Sequence, residues 1–392
     1  MNVADYILDF LVKKKVKKVF LITGGAISFV IDAFSRNKKI SYTCVAHEQA
    51  AAMMADAYSR LGPNFSATMV TSGPGATNLL TGIACSWFDS IPSIHICGQV
   101  NSYELSNAHK STKNVRQVGF QETDIVAMAK SITKFSYQLQ NAQEIRFILE
   151  KAYHIAQSGR PGPVLIDIPM DFQRKIINPA RLKSYKPIKK KNLDKLINNQ
   201  IRTIKNLLMK SKRPTIIVGG GIRCSKTNNE LLACIKNLDI PIVTTWSGVD
   251  SISHDFMNYI GCIGVYGSRA ANFVIQNSDF ILCFGSRLDT RITSGVPKNF
   301  ARDAIIAAVD IDKNELNKKR GLNIDIKINI DLGIFFKLYR KCSKNFIIRK
   351  LDWVKQSLEW KKKYPMVLQS FRNQKKFVNP KGDLYIPQDV IC

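Results

Sequence analysis

The chain lacks an apolar run near the ~18 residues that a membrane helix needs, and its 392 residues are read as non-membrane. Acid is scarce: 58 Lys and Arg stand against 30 Asp and Glu, a net charge of +28. It has five His, none at metal-ligand spacing, so no metal site is assigned to its own residues. The nine cysteines (44, 85, 97, 224, 234, 262, 283, 342 and 392) are dispersed and include no CxxC pair. That excludes a zinc knuckle or a disulfide framework and points to buried thiols in a reducing cytoplasm. The first residues, Met1 to Leu8, have no basic stretch before an apolar core, so no signal peptide is expected.

The charge is uneven. Residues 1–172 carry 17 Lys and Arg against 13 acids, and the remaining 220 carry 41 against 17. The basic stretches intersperse Lys with Asn and Ile, without an aromatic stacking run. They therefore read as a solvated face, and nucleic acid is not the expected partner.

What is present is alternation. Short apolar strands are expected at Val19–Ile22, Ser41–Val45, Ala67–Val70, Ser93–Cys97 and Pro163–Ile168. Helices are expected over 3–14, 48–61, 76–86 and 142–157. Strands apolar on both faces with helices between them imply a parallel sheet covered on both sides. A second alternation follows, with strands at Thr215–Val218, Pro241–Thr245, Phe280–Phe284 and Ile305–Val309. Helices are expected over 196–209, 228–237 and 268–276. The fold class is thus α/β, two doubly wound parallel-sheet domains. The first spans 1–172, a linker 173–195, a smaller Rossmann-like domain 196–335, and a connector 336–392.

Glu48 is the most informative residue. It opens a helix directly after a strand. Taken alone, it is a carboxylate at the positive end of a helix dipole. Some 20 residues on, Thr71-Ser72-Gly73-Pro74-Gly75-Ala76-Thr77-Asn78 makes a second special strand-to-helix turn. Two such turns point to one sheet edge, where open α/β folds bind ligands. His47 is expected to be packed or exposed, aimed away from its neighbour.

These residues carry a resemblance. Ala46-His47-Glu48-Gln49-Ala50-Ala51, the run 71–78, Gly98-Gln99-Val100, Gly119-Phe120-Gln121-Glu122-Thr123-Asp124 and Gly159-Arg160-Pro161-Gly162-Pro163 occur in the order found in one family. So do Arg213 to Gly221, Phe284 to Arg291 and Val309-Asp310-Ile311-Asp312. The chain resembles, over nearly its whole length, the thiamine-diphosphate-dependent enzymes of the acetolactate synthase (acetohydroxyacid synthase) group. The resemblance implies three domains: one for the aminopyrimidine, a middle one that holds FAD or is non-catalytic, and one for the diphosphate. The third binds through Mg2+ with a Gly-Asp-Gly motif followed by Asn. This chain has no Gly-Asp-Gly, and its only Gly-Asp is Gly382-Asp383. It is therefore expected to be truncated and inactive alone, or one half of a split enzyme needing a separate diphosphate-binding chain.

By the same resemblance Glu48 is the catalytic acid that shares a proton with the pyrimidine, which needs a carboxyl in an apolar pocket. No Lys or Arg lies within ten residues on its C-terminal side. Phe120 and Gln121 are implied as an active-site pair, Gln121 offering its amide to a pyruvate-like 2-keto acid. Outside the family, Gln121 reads as a surface loop residue. Gly25, Thr71, Gly73, Pro74 and Asn78 are implied to line the thiamine site. Arg160, Gly220, Arg287 and Asp310 are the residues that FAD, left open as a second cofactor, would use. Family sites lie between subunits, so a homo-oligomer, dimer or tetramer, is expected.

The chain departs from the family pattern in four places. Ile22-Thr23 stands for Tyr-Pro, Met170 for Lys and Tyr266 for His, and the segment between Gln99 and Phe120 is longer than usual. These changes resemble relatives that transfer the acyl unit of pyruvate to another carbonyl, such as a keto sugar.

Overall fold

The computed structural model describes residues 1–61, 65–112, 115–188, 193–343 and 346–366. The chain divides into two compact units, Met1–Lys190 and Lys191–Cys392.

Unit 1 is a six-stranded, all-parallel sheet: β1 Lys18–Leu21, β2 Ser41–Cys44, β3 Ser66–Val70, β4 Ser93–Gln99, β5 Phe135–Gln138 and β6 Val164–Pro169. The spatial order is β2-β1-β3-β4-β6-β5. Its helices are α1 Val3–Lys13, α2 Ser28–Arg36, α3 Glu48–Arg60, α4 Pro74–Asn78, α5 Leu80–Asp89, α6 Ile125–Ala129, α7 Ile145–Gln157 and α8 Met170–Gln173. α1 shows why the stripes form. Asn2 caps it by accepting from the Asp5 N–H, and Val3, Ile7, Leu8 and Leu11 face the core with no exposure. Strands β3, β4 and β6 are buried throughout, so both faces must be apolar, which makes them legible as runs. Edge strand β5 is half-buried at every residue and lies in a stretch from which no strand was expected.

The chain order reverses between β1 and β3, which lie side by side although β2 separates them in sequence. The loops after those two strands therefore diverge to opposite faces and leave a crevice at the C-terminal edge.

Unit 2 repeats the architecture with β7 Pro214–Val218, β8 Leu238–Asp239, β9 Ile242–Thr244, β10 Tyr259–Cys262, β11 Phe280–Phe284, β12 Ile305–Asp310, β13 Ile326–Asn329 and β14 Ile348–Arg349. Six of these form a parallel sheet in the order β10-β9-β7-β11-β12-β13, with β14 and β8 a separate pair. Renumbered from β7, that order is 3-2-1-4-5-6, the dinucleotide-binding arrangement. Its helices are α9 Asp194–Lys210, α10 Gly221–Ser225, α11 Asn228–Ile235, α12 Arg269–Asn277, α13 Thr290–Thr293, α14 Lys313–Asn317, α15 Leu332–Cys342 and α16 Leu351–Lys363.

The span expected as a connector from 336 contains most of α15 and all of α16. α15 buries Leu332, Phe335, Phe336 and Tyr339 in the core of unit 2, and α16 buries Trp353 there, its indole N–H donating to the Pro214 carbonyl at 3.1 Å. Part of the expected linker belongs to unit 1 instead. Ile177 and Leu182 are buried in its core, and Ile176 bridges to Asn2. Gly382-Asp383, Pro380, Pro387 and the residues to Cys392 lie outside the described residues.

Candidate active site at the edge of the first sheet

Glu48 is the first residue of α3, and His47 caps that helix by accepting the Gln49 N–H at Nδ1, 3.1 Å away. His47 is thus an exposed cap, turned from the carboxylate to its own backbone. The Glu48 side chain is half-buried. Its Oε2 accepts from the Asn78 amide at 2.9 Å, which links the head of α3 to the end of α4. Among the described residues Oε1 receives no hydrogen bond. The apolar enclosure expected around this carboxylate is incomplete within the single chain, where neighbouring Ala46 and Ala50 are exposed.

The turn from β3 into α4 explains its own composition. Gly73 has φ +61°, a left-handed conformation that glycine adopts without strain, and Pro74 then occupies the first helical turn with its φ already set. Gly75 is buried, and a methyl there would lie 2.8 Å from Thr71 Cγ2 and 3.4 Å from Glu48 Oε1. A flat heteroaromatic ring needs this bare approach to the carboxylate, so the edge fits an aminopyrimidine.

Gln121 is held against the same turn. A methyl on Gly73 would sit 2.7 Å from Gln121 Cβ. Gln121 itself has φ +61°, an uncommon conformation for a side-chain-bearing residue and one that clusters at functional sites. Phe120 beside it is 85% exposed. The loop is pinned through Glu122, whose two carboxylate oxygens accept the N–H groups of Ser106 at 2.7 Å and Val118 at 2.9 Å. Those hydrogen bonds outweigh burial and hold the Glu122 carboxyl below its ordinary range.

The turn after β1 completes the edge. Thr71 Oγ1 accepts the Ala26 N–H at 3.2 Å, and Gln173 Nε2 donates to the Ala26 carbonyl at 2.7 Å. Gly25, the residue singled out in this turn, has nothing within 4 Å of an added methyl, whereas Gly24 would drive one to 2.5 Å from Thr71 Cβ. The fold therefore brings Gly25, Glu48, Thr71, Gly73, Pro74, Asn78, Phe120 and Gln121 to one edge. Arg160 lies elsewhere in unit 1, with its Nε donating to Ser90 Oγ at 2.8 Å.

Gly220 and Arg287 follow strands β7 and β11, and Asp310 ends the neighbouring β12, all at the C-terminal edge of the sheet of unit 2. Gly219 is so close to the next loop that a methyl would meet the Gly285 carbonyl oxygen at 2.3 Å. Arg287 pairs with Asp289 at 3.3 Å, and Asp310 accepts the Asp312 N–H at 2.8 Å. The hydroxyl of Thr245, just past β9, is buried without a hydrogen-bond partner. An orphaned hydroxyl on a dinucleotide-type edge fits a bound polar ligand. Among the described residues no three or more His, Cys, Asp and Glu cluster as a metal site. No helix among them is long and apolar enough to cross a membrane.

Residues 1–128 match the family described as "Thiamine pyrophosphate enzyme, N-terminal TPP binding domain", and residues 201–337 match its "central domain". The chain is 36% identical to the acetolactate synthase large subunit of Cyanidium caldarium over 370 residues, 92% of this chain and 61% of that protein. It is 32% identical over 404 residues to the acetolactate synthase large subunit of Buchnera aphidicola from Acyrthosiphon pisum, 99% of this chain and 68% of that protein. The Lactococcus lactis large subunit is 32% identical over 92% of the chain, which spans 60% of it. This chain therefore belongs to the thiamine pyrophosphate enzymes, in the acetolactate synthase large-subunit group, and carries their N-terminal and central domains.

Proposed function

We propose that the chain is the pyrimidine-binding and middle portion of a carboligase that decarboxylates pyruvate or a similar 2-keto acid and joins the two-carbon unit to a second carbonyl. The observation that carries this reading is the Glu48 carboxylate, set beside Gly75 with one oxygen taken by Asn78 and the other without a donor among the described residues. Thiamine diphosphate, when bound, supplies a nucleophilic carbon and an electron sink for the carboxyl group's bonding pair. Glu48 Oε1 is then the atom that holds and returns a proton at the pyrimidine. Asn78 fixes the rotamer, and Gly73 and Gly75 admit the ring. Gln121 directs its amide to the keto-acid oxygens, and Phe120 offers an apolar wall.

Magnesium and the diphosphate need ligands that residues 1–392 do not offer as a Gly-Asp-Gly motif, and we assign them to a further segment or partner chain. The alternative, a non-catalytic subunit of a split enzyme, shares this requirement. A homo-oligomer is supported by Met53, Met54, Trp87 and Phe88, exposed at 40%, 39%, 37% and 63% on α3 and α5, the two helices that run on from the Glu48–Asn78 contact. A second subunit would complete the apolar enclosure. FAD at Gly220, Arg287 and Asp310 is supported by the strand order of unit 2 and by the buried Thr245 hydroxyl, which has no hydrogen-bond partner among the described residues. A keto-sugar acceptor is supported by the departures at Ile22-Thr23 and Tyr266. The eight cysteines among the described residues are free thiols, which suits a reducing cytoplasm, but only Cys97 and Cys283 are buried as expected, while Cys44 is exposed and the other five are half-buried.

The test is CO2 release from pyruvate by the chain, supplied with thiamine diphosphate, Mg2+ and a Gly-Asp-Gly-bearing segment from a relative. Release that needs both the segment and Glu48 is expected. Release that persists undiminished in Glu48→Gln refutes the assignment.

A further inference from the structure

Beneath the loop that presents Phe120 and Gln121 lies a buried polar cluster that the proposed chemistry does not use. Gln99, the last residue of β4, is 1% exposed. Its Nε2 donates both to the Thr123 carbonyl and to Asp167 Oδ2, each at 2.9 Å, and its Oε1 accepts the Val100 N–H at 3.0 Å. Every polar position on the amide is thus engaged, and the hydrogen bond to Thr123 ties the loop to the sheet. Gln138, ending β5, donates to the same Asp167 Oδ2 at 2.9 Å. Asp167 on β6 is fully buried, and its Oδ1 has no hydrogen-bond partner among the described residues.

We propose that Gln99 and Asp167 are positioning residues for the active-site loop, Asp167 orienting the Gln99 amide so that it grips Thr123 and keeps Gln121 against Gly73. The functional meaning rests on Gln121 facing substrate, as proposed above, but the brace itself does not. A buried acceptor shared by two amides is a costly arrangement unless it fixes something, because an unpaired buried carboxyl oxygen loses its water without replacement.

The brace is also set by pH. Among the described residues no cation lies against Asp167. The groups that face it are Gln99 and the Cys97 thiol on β4, Gln138 on β5, and Asp124, which caps α6. His95, two residues before Cys97, is held neutral by burial between Thr68 and Ser93. Burial pushes the Asp167 carboxyl up to about 7. A carboxylate accepts amide hydrogen bonds more strongly than a neutral acid, so as pH rises through neutrality the Gln99–Asp167 bond tightens and fixes the amide in the orientation that meets Thr123.

Amide hydrogen exchange of the 392-residue chain tests this, read over residues 115–124 between pH 6 and 8 and corrected for intrinsic rates. Gln99→Met removes both donors at nearly constant volume. It is expected to speed exchange of the loop about tenfold, the worth of one good hydrogen bond, while β3 and β4 stay as protected as in the native chain. The native loop becomes several-fold more protected from pH 6 to 8, and Asp167→Asn, neutral at every pH, loses that change. Loop exchange unaltered in Gln99→Met overturns the brace. A pH response that survives in Asp167→Asn overturns Asp167 as its origin, and this second arm stands if Gln99→Met fails to fold. Glu48→Gln leaves loop exchange unchanged, so failure of the catalytic reading and failure of the brace are seen separately.

Discussion

Two parallel sheets in this chain end in glycine-rich loops at their topological switch points, yet the two edges are built to different ends. In unit 1 the loops hold a carboxylate, an amide and a left-handed Gln121 around bare glycine backbone. In unit 2 the glycines are spent on loop-to-loop packing: the Gly221 N–H donates to the Gly285 carbonyl at 2.9 Å, and its charged groups bind each other or backbone. On the proposed function, the same architecture serves proton chemistry at one edge and ligand retention at the other. Switch-point position alone decides where a ligand lies; the residue types there decide what is done to it.

The comparison predicts that substitutions at the two edges separate activity from retention. Glu48→Gln should lower pyruvate turnover in the complemented enzyme by roughly 10²–10⁴-fold, the range for losing a positioned acid-base group, with thermal stability nearly unchanged. Arg287→Ala should leave turnover per loaded molecule intact while weakening flavin retention, measured by flavin absorbance after gel filtration. Loss of turnover in Arg287→Ala with flavin fully retained would erase the distinction.

Next in size are pH effects on stability in unit 1. An acid with a folded value near 7 against an ordinary 3.8 holds its proton more tightly in the folded chain. Stability from Asp167 therefore falls as pH rises from about 4 to about 7 and levels off above, by on the order of a few kcal/mol. Asp167→Asn should remove that slope in urea titrations. His95 acts in the other direction. Burial lowers its value from 6.5 to about 3, so its contribution is present above 6.5 and is lost as pH falls through that window.

Glycine replacements sharpen the comparison further. A methyl on Gly98 would sit 2.2 Å from the Ala26 carbonyl oxygen, and one on Gly219 2.3 Å from that of Gly285. Each should cost about 1–3 kcal/mol by overpacking against backbone, and only Gly98→Ala should disturb the thiamine edge. Gly25→Ala meets nothing within 4 Å and should change stability by less than about 0.5 kcal/mol, seen as an unmoved Tm.

Much of this was legible in the sequence because buried parallel strands are continuous apolar runs: Phe280–Phe284 has the bounds expected of it, and Glu48 opens its helix as expected. Elements with mixed faces were not. β5 reads Phe-Ser-Tyr-Gln, half-buried along an edge. α16 hides Trp353, Val354 and Ser357 among lysines. Within the site, the residues that touch ligand in the proposed reading could be named from motifs. The Gln99–Thr123–Asp167 brace could not, since its partners are 24 and 68 residues away and one is a backbone carbonyl. Nor could sequence show that Gly75, rather than Gly25, is the glycine whose missing side chain bares the carboxylate.

The account turns on proton traffic at Glu48, and the most direct measurement is the rate at which the reactive thiazolium carbon of bound thiamine diphosphate exchanges its proton for deuterium, followed by quenched-flow NMR in the complemented enzyme. The account predicts that Glu48→Gln slows this exchange at least about a hundredfold with the cofactor still bound. Equal rates in the two proteins would contradict it.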